Sequence, residues 1–571
     1  MEKLLDTLKQ YWGYESFRGI QEDIIHSILQ KRDTLGLMPT GGGKSITFQV
    51  PTLCMEGLCL VITPLIALMK DQVQNLRDKG IKALAVYSGM SHEEILTTLD
   101  NCIFGNYKFL YISPERLGTE LFRIKVQKMN ICLITVDESH CISQWGYDFR
   151  PAYLKIAEIR ELLPEVPLLA LTATATPEVV NDIQKQLRFP QENVFRMSFE
   201  RKNLAYVVRK TENKPQELLH ILQRTAGSAI VYVRNRRRTK EITELLQTAG
   251  ITAEFYHAGL DDAVKDQRQQ RWKSGESRVM VATNAFGMGI DKPDVRLVIH
   301  MDLPDSIEAY FQEAGRAGRD GQKAYAVLLY HPHDKTILHR RIPDSFPQKD
   351  YIRQVYEHLQ YYYQMAMGDG IGCIRVFDID DFCRKFKHFP VPVHSALKIL
   401  TQAGYLEYTD EQDNASRLMF ILSRDELYRL HETDKDTDRL IQTILRSYTG
   451  VFADYAYISE ELLSIRLHMD RQEIYTRLIR LAKLHIISYI PAKKTPYIIY
   501  TRERMELSDL HFSKEIYEMR KKRLENQLDA IIHYAENEVN CRSRMLLHYF
   551  GENNPHNCGI CDTCIEQKRK S

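Results

Sequence analysis

The sequence predicts an α/β chain: two parallel-sheet lobes in tandem, then two small helix-rich α+β units and a short C-terminal helical module. Three observations carry that expectation. Short apolar strands alternate with amphipathic helices twice over, across 1–203 and 204–343, the pattern of a parallel sheet covered by helices. Chemistry-bearing stretches follow the strand ends, where parallel sheets place ligands. Beyond about residue 344 the pattern changes to groups of three helices, each group followed by a candidate hairpin.

In the first lobe, strands are expected at 58–63, 109–113, 131–137 and 168–172. Each runs directly into a polar stretch: Thr63-Pro64-Leu65, Ser113-Pro114-Glu115-Arg116, Asp137-Glu138-Ser139-His140 and Thr172-Ala173-Thr174. Before them lies a glycine-rich turn, Pro39-Thr40-Gly41-Gly42-Gly43-Lys44-Ser45. Its backbone N–H groups can wrap phosphates, with Lys44 reaching the β/γ oxygens and the Ser45 hydroxyl holding magnesium. Asp137 and Glu138, at the end of an apolar strand, complete the pattern. Asp137 is placed for the metal and Glu138 to polarise the attacking water, and His140 closes the same catalytic stretch. A glycine turn alone is a moderate signal. The pair, in this order, points to binding and hydrolysis of a nucleoside triphosphate.

The second lobe repeats the alternation, with strands expected at 229–233, 255–257, 278–282, 295–300 and 324–330, but has no phosphate turn. It carries Gln312-Glu313-Ala314-Gly315-Arg316-Ala317-Gly318-Arg319 instead. A guanidinium reaching across from Arg316 or Arg319 would stabilise transition-state charge, an effect of roughly 10³–10⁵ in rate in related systems. Two lobes clamping one nucleotide close on binding and open after hydrolysis, which is a motor geometry.

Composition sets the bounds. A chain of 571 residues, 44% hydrophobic and 27% charged, fits three to five soluble domains. The net charge of +2 leaves nucleic-acid binding to local patches such as 234–240 and 520–523, each equally readable as a solvated face. No apolar run approaches the roughly 20 residues of a membrane helix, and no signal-peptide core opens the chain. The expected compartment is the cytoplasm, with no membrane partner. Of 11 cysteines, seven are scattered, and Cys59 and Cys132 sit in apolar strands as small hydrophobes. Cys541, Cys558, Cys561 and Cys564 have the spacing of a four-cysteine zinc site; the alternative is a tail of unligated thiols.

Taken together these motifs resemble the RecQ family of superfamily-two DNA helicases, closely so over 1–340. The segment Trp12-Gly13-Tyr14-Glu15-Ser16-Phe17-Arg18-Gly19-Ile20-Gln21 matches the family's entry signature, and the match continues through 63–72, 172–176, 282–291 and 312–321. The resemblance implies two RecA-like lobes and ATP as nucleotide, with Tyr14, Arg18 and Gln21 at the adenine and Arg319 as arginine finger. Ser143-Gln144-Trp145-Gly146-Tyr147-Asp148-Phe149-Arg150-Pro151 is similar to the family's aromatic-rich loop, which couples single-stranded DNA to hydrolysis. Trp145 and Phe149 suit base stacking, worth about 1–3 kcal/mol per base, with Arg150 beside them; the alternative is that both aromatics fill the interlobe core. Ser139 stands where the family usually has Ala, and Tyr147 where it usually has His. The resemblance further implies 3′–5′ movement on single-stranded DNA, opening of forked or junction DNA in recombination and repair, single-strand-binding protein as a partner, and a nucleoid-associated location.

The C-terminal half departs from that family. There a helical hairpin and zinc site follow the second lobe and a winged helix follows the zinc; here about 200 residues intervene before the cysteines. Helices at 352–367, 378–386 and 393–403 with a hairpin at 405–422 predict one winged-helix-like unit, 344–425. Helices at 437–448, 459–467 and 470–484 with a hairpin at 486–500 predict a second, 426–510. A helical hairpin with the zinc site is expected over 511–571. Asp470 and Glu473 suggest a capping box. The first hairpin tip, 409–414, is acidic; the second carries Lys493 and Lys494, with Arg477 and Arg480 on the helix before it. DNA contact is therefore expected at the second, and spacer or protein-docking roles are the alternative. Two other readings of the whole chain are an RNA-dependent ATPase, disfavoured by the aromatic loop and zinc module, and a recruiting factor with a degenerate motor, disfavoured by the intact motifs.

Overall fold

The computed structural model describes residues 2–39, 41–87, 90, 92–146, 148–287, 292–366, 368–409, 416–422, 426–427, 434–448, 451–452, 456–491, 496–553 and 556–570. Expectations for Thr40, Tyr147, Lys493, Lys494, the 288–291 stretch and the acidic tip at 410–414 lie outside those residues. The chain divides into two compact units, 1–338 with 526–571, and 339–525. Among the described residues no helix is long and apolar enough to cross a membrane.

The first lobe is a seven-stranded parallel sheet. Its strands are β1 Thr34–Leu37, β2 Leu58–Ile62, β3 Ala83–Val86, β4 Phe109–Ile112, β5 Ile131–Val136, β6 Leu168–Thr172 and β7 Val194–Arg196, in the order β3-β4-β2-β5-β6-β1-β7. Strands β1, β2, β4 and β6 are buried along their whole length, as parallel strands covered on both faces must be. Gly36 in β1 is required by packing: a Cβ there would lie 2.9 Å from both Ile24 Cδ1 and Leu171 Cδ2.

The second lobe has six parallel strands: β8 Leu204–Lys210, β9 Ser228–Tyr232, β10 Ala253–Tyr256, β11 Val279–Ala282, β12 Val295–His300 and β13 Ala324–Tyr330, in the order β10-β11-β9-β12-β13-β8. Three of its helices start on side-chain caps, with Asn213 accepting from the Gln216 N–H, Asn235 from Arg238 and Ser306 from Ala309, each of which satisfies an orphan donor of the first turn. The Asn235 cap opens helix Arg236–Thr248 in the basic 234–240 run. There Arg237 pairs with Glu241 and Arg238 with Asp302, the arrangement of a solvated helix face.

Residues 526–571 fold onto this unit. Cys541 is the N-cap residue of helix Arg542–Tyr549, Cys558 and Cys561 lie before helix Asp562–Lys570, and Cys564 sits in its first turn. Asp562 Oδ2 accepts the Val208 N–H on β8 at 2.9 Å, and the Tyr534 and Tyr310 rings meet at 5.2 Å.

Unit 339–525 overturns the expected pair of tandem winged helices. The six expected helices form, as Lys349–Tyr362, Ile379–Phe386, Pro390–Gln402, Lys435–Ser447, Glu460–Leu467 and Arg471–Lys483, but among the described residues the strands of neither expected hairpin pair with each other. Strand β15, Leu406–Thr409, pairs with β19, Tyr497–Tyr500, and β14, Ile374–Val376, borders β19 on its other edge. Strand β16, Arg417–Phe420, pairs with β18, Ile487–Ile490, and with β17, Ala456–Tyr457. One winged helix is thus threaded through the wing of another. The outer one is built from 349–409 and 496–517 around Tyr356, Leu397 and Tyr500; the inner one is 416–491 around Leu440, Ile474 and Leu478. The division expected at 425/426 gives way to this nesting, because antiparallel pairing follows cross-strand register and buried faces rather than nearness in sequence. Where the two layers meet, Ile490, Tyr497 and Ile499 share a small buried cluster, and Arg417 reaches both Tyr497 and Glu407.

Candidate nucleotide site and zinc centre

The glycine turn follows β1 and opens helix Ile46–Cys54. Gly41 and Gly43 hold φ of +83° and +75°, in the left-handed region that favours glycine. A Cβ on Gly42 would sit 2.9 Å from the Pro39 carbonyl oxygen. Gln21 clamps the turn: its amide donates to the Gly42 and Gly43 carbonyls at 3.2 and 3.1 Å, while its oxygen accepts the Arg18 N–H at 2.8 Å. In this state the side chain expected at the adenine is spent on the turn itself. The Arg18 guanidinium lies over the Tyr14 ring at 4.8 Å, and Tyr14 is exposed, a flat face ready for a base. Beside Ser45 a cavity of about 410 Å³ is bordered by Trp12, Gln49, Gln72 and Lys79.

The acidic stretch meets the turn. Lys44 Nζ stands 3.9 Å from Glu138 Oε1. Glu138 is itself strained, at φ +49°, and its N–H donates to Asp137 Oδ1 at 3.0 Å. Burial, and then the neighbouring Glu138 carboxylate, pushes the Asp137 carboxyl up to about 6. Tyr153 fixes the strand end by donating to the Asp137 carbonyl at 3.0 Å. Burial pushes His140 down to about 4, so it is a neutral imidazole near pH 7. Its Nδ1 lies 2.9 Å from Thr172 Oγ1 and 3.4 Å from Glu138 Oε2, and Thr172 Oγ1 accepts the Thr174 N–H at 3.3 Å. The ends of β5 and β6 are therefore tied through one histidine. Ser139, fully buried, finds no hydrogen-bond partner for its hydroxyl among the described residues.

From His140 the chain turns into the aromatic-rich loop. A Cβ on Gly146 would sit 2.5 Å from the His140 carbonyl oxygen, so the loop folds tightly back on the acidic stretch. Ser143 Oγ anchors it, donating to Asp182 at 2.6 Å and accepting the Trp145 N–H at 3.1 Å. Trp145 is 42% exposed and Phe149 half-buried; for Trp145 the core-filling alternative is excluded. Arg150 is committed internally, donating to Asp148 at 3.1 and 3.2 Å and to the Pro64 carbonyl at 3.3 Å. His140, Cys141 and Asp148 also stand within metal-ligand reach of one another. Those two Arg150 bonds to Asp148, with the Thr172 bond to His140, account for the group as a hydrogen-bonded relay.

Of the two arginines of the second lobe, Arg319 lies against this site, while Arg316 is held within its own lobe. The Arg319 stem lies 3.6 Å from where a Cβ on Gly41 would stand, against the phosphate turn of the other lobe. Arg316 is 4% exposed, its Nη2 3.6 Å from the corresponding position on Gly287. Two residues escaped the sequence reading. Arg201, in the linker between the lobes, donates to the Gly315, Ala317 and Gly318 carbonyls at 3.1, 2.8 and 3.0 Å. Asn203 donates to the Gly318 and Gln322 carbonyls at 2.7 and 2.9 Å. They hold the turn that carries Arg316 and Arg319. Nothing in Arg201-Lys202-Asn203 marks this, since their targets are backbone carbonyls more than 110 residues away.

Cys541, Cys558, Cys561 and Cys564 converge with all four sulfurs within 4.8 Å of one another. The Cys558 N–H donates to Cys541 Sγ at 3.2 Å, the bond that stabilises a thiolate in such knuckles. Four sulfurs at this spacing suit tetrahedral zinc with no open position. Arg542 braces the centre, 3.1 Å from Asp562. In the inner winged helix, by contrast, Arg477, on the helix before the expected DNA-contacting tip, is bound by Asp434, Glu473 and Asp436 at 2.6, 2.8 and 3.4 Å. Arg480 is 3.8 Å from Asp434. Of the expected capping box only half forms: Asp470 accepts the Gln472 N–H at 2.9 Å, while Glu473 turns to Arg477.

Four family signatures match this chain. Residues 18–183 match the DEAD/DEAH box helicase family and 213–321 the helicase conserved C-terminal domain. Residues 418–491 match the RecQ helicase winged-helix domain, Bacteroidota, and 501–565 the RecQ zinc-binding family. The winged-helix match coincides with the inner unit. The chain is 47% identical over 348 residues to the ATP-dependent DNA helicase RecQ of Bacillus subtilis, covering 60% of this chain and 59% of that one. It is 42% identical over 339 residues to the probable ATP-dependent DNA helicase RecS of the same organism, covering 58% and 68%. The RecQ of Haemophilus influenzae is 42% identical over 359 residues, covering 62% and 57%. The chain thus spans under three-fifths of the length of the two RecQ relatives. A crystal structure of the DUF1998 helicase MrfA bound to DNA and AMPPNP shares the fold at TM-score 0.50 and 17% identity, over 60% of this chain and 52% of that one. With both RecQ-specific signatures in its rearranged half and these identities across the two lobes, the chain belongs to the RecQ family.

Proposed function

We propose that the protein is an ATP-dependent DNA helicase that moves 3′ to 5′ along single-stranded DNA and opens forked or junction DNA in recombination and repair. The observation that carries this reading is the composite site: Arg319 of the second lobe lies against Gly41 in the phosphate turn of the first. Hydrolysis in such a site is coupled to lobe movement. Gly41, Gly42, Gly43 and Lys44 cradle the phosphates, with Tyr14 and Arg18 at the base. Ser45 and Asp137 would hold magnesium, Glu138 would polarise water, neutral His140 would orient it, and Arg316 and Arg319 would meet the γ-phosphate. Gln21 reaches the adenine only by leaving the Gly42 and Gly43 carbonyls, so nucleotide binding loosens the turn it clamps.

Trp145 is the stacking platform for single-stranded DNA, and because its loop starts at His140, bound DNA shifts the histidine beside Glu138. Arg150 supports that loop from within through Asp148. Cys541, Cys558, Cys561 and Cys564 would hold zinc as a structural ion of the C-terminal module. The compartment is the cytoplasm, at the nucleoid, with single-strand-binding protein as a partner. ATP turnover tests the reading: single-stranded DNA is expected to stimulate it, RNA far less, and Lys44→Ala to abolish it. Turnover that ignores DNA, or survives in Lys44→Ala, would sink the assignment.

A further inference from the structure

The linker between the lobes, 197–203, is gripped from two sides. On one side Arg201 and Asn203 hold the backbone of the turn that bears Arg316 and Arg319. On the other, Glu552 of the zinc module accepts two bonds from the linker itself, from Ser198 Oγ at 2.8 Å and the Phe199 N–H at 2.6 Å. Phe199, 3% exposed, packs between Phe550 of the module at 5.3 Å and Phe311 at 6.0 Å. Phe311 lies on helix Ile307–Ala314, which runs directly into the arginine turn. The module also touches both lobes: Tyr549 donates to Glu308 at 3.0 Å, and a Cβ on Gly551 would sit 2.8 Å from Pro177 Cγ.

We propose that Glu552 is a positioning residue for ATP turnover, acting through the Ser198–Arg201 linker segment on the turn that presents Arg316 and Arg319. This rests on the ATPase reading above. Among the described residues Glu552 bonds neither the phosphate turn nor a zinc-site cysteine; its two acceptor oxygens are both spent on the linker. A carboxylate accepting bonds from adjacent linker residues fixes backbone direction there, and Arg201 three residues on converts that direction into the placement of three carbonyls. The zinc module, on this view, is a part of the motor that sets arginine geometry as well as a folded appendage. An arginine finger misplaced by about 1 Å costs on the order of 10²-fold in rate.

The test uses the full chain with zinc, comparing Glu552→Gln, Arg201→Lys, their double variant and Ser198→Ala in DNA-stimulated ATP hydrolysis. Glu552→Gln and Arg201→Lys are each expected to lower kcat by about tenfold or more. KM for ATP should change little and one zinc per chain should remain. Ser198→Ala, which removes one of the two bonds, is expected to lose less. Because both act on one turn, the double variant should be no slower than the slower single. Unchanged kcat in Glu552→Gln, losses that multiply in the double variant, or loss of zinc together with turnover would each overturn the proposal. Ser198→Ala keeps the question answerable should Glu552→Gln not fold: unchanged kcat there overturns it equally. An inactive wild type would instead sink the ATPase reading on which the proposal stands.

Discussion

The two lobes and the 339–525 unit solve different problems with strands of similar length. In the lobes every pairing is parallel, so each strand delivers its carboxyl end to the same edge whatever the order of strands. In the 339–525 unit every pairing is antiparallel, and what reaches a given tip depends on which strand pairs with which. Thr409 finds its partner at Tyr497, while β16, eight residues further on, pairs with β18 instead. A parallel sheet therefore tolerates ignorance of its topology; a winged helix does not.

That contrast explains what could be read in advance. The placement of Lys44, Asp137, Glu138 and His140 was legible because each lies in a short motif directly after an apolar strand. Arg319 was legible as a candidate because arginines interleaved with glycine and alanine are rare without a phosphate to meet. Arg201 and Glu552 were not, since each acts on backbone far away in sequence. The ion pairs of Arg477 were illegible for a similar reason: Asp434 and Asp436, one helix earlier, reach it only once the inner unit has folded. Nesting was illegible because helix periodicity and turn composition are unchanged by an insertion at a wing tip.

The comparison sharpens most at the composite site. Arg319→Ala is expected to lower ATP turnover roughly 10³-fold with nucleotide binding largely kept, as measured by hydrolysis and by fluorescent-nucleotide titration. Near-normal turnover would mean the lobes do not share one site. Next comes pH. With Asp137 raised to about 6 by burial and Glu138, its ionised, metal-binding form predominates only above that pH. The acid limb of kcat/KM should then fall near 6 and move to lower pH as magnesium is raised; a limb near 4, indifferent to magnesium, would contradict this.

In the 339–525 unit the matching test is excision. Replacing 410–496 by a two-residue turn should close β15 onto β19 and leave a folded, zinc-bound chain with turnover within about threefold of the intact one. Cutting at 425/426 instead should leave β15 and β16 without partners and give insoluble protein. If the excised chain aggregates while a fragment ending at 425 folds, the nesting is wrong. The smallest effect belongs to Ser139. Its buried hydroxyl has no hydrogen-bond partner among the described residues, and removing such a group is worth about 1 kcal/mol, so Ser139→Ala should raise thermal stability slightly with turnover retained. A less stable variant would mean that the hydroxyl is bonded in solution.

The central claim, a motor that closes across two lobes while single-stranded DNA feeds past Trp145, is tested most directly by strand separation. Duplexes with either a 3′ or a 5′ single-stranded tail would be followed by fluorescence with ATP and magnesium, for wild type and Arg319→Ala. The account expects the 3′-tailed duplex alone to open, and only with wild type. Opening of the 5′-tailed duplex, or opening that persists in Arg319→Ala, would contradict it.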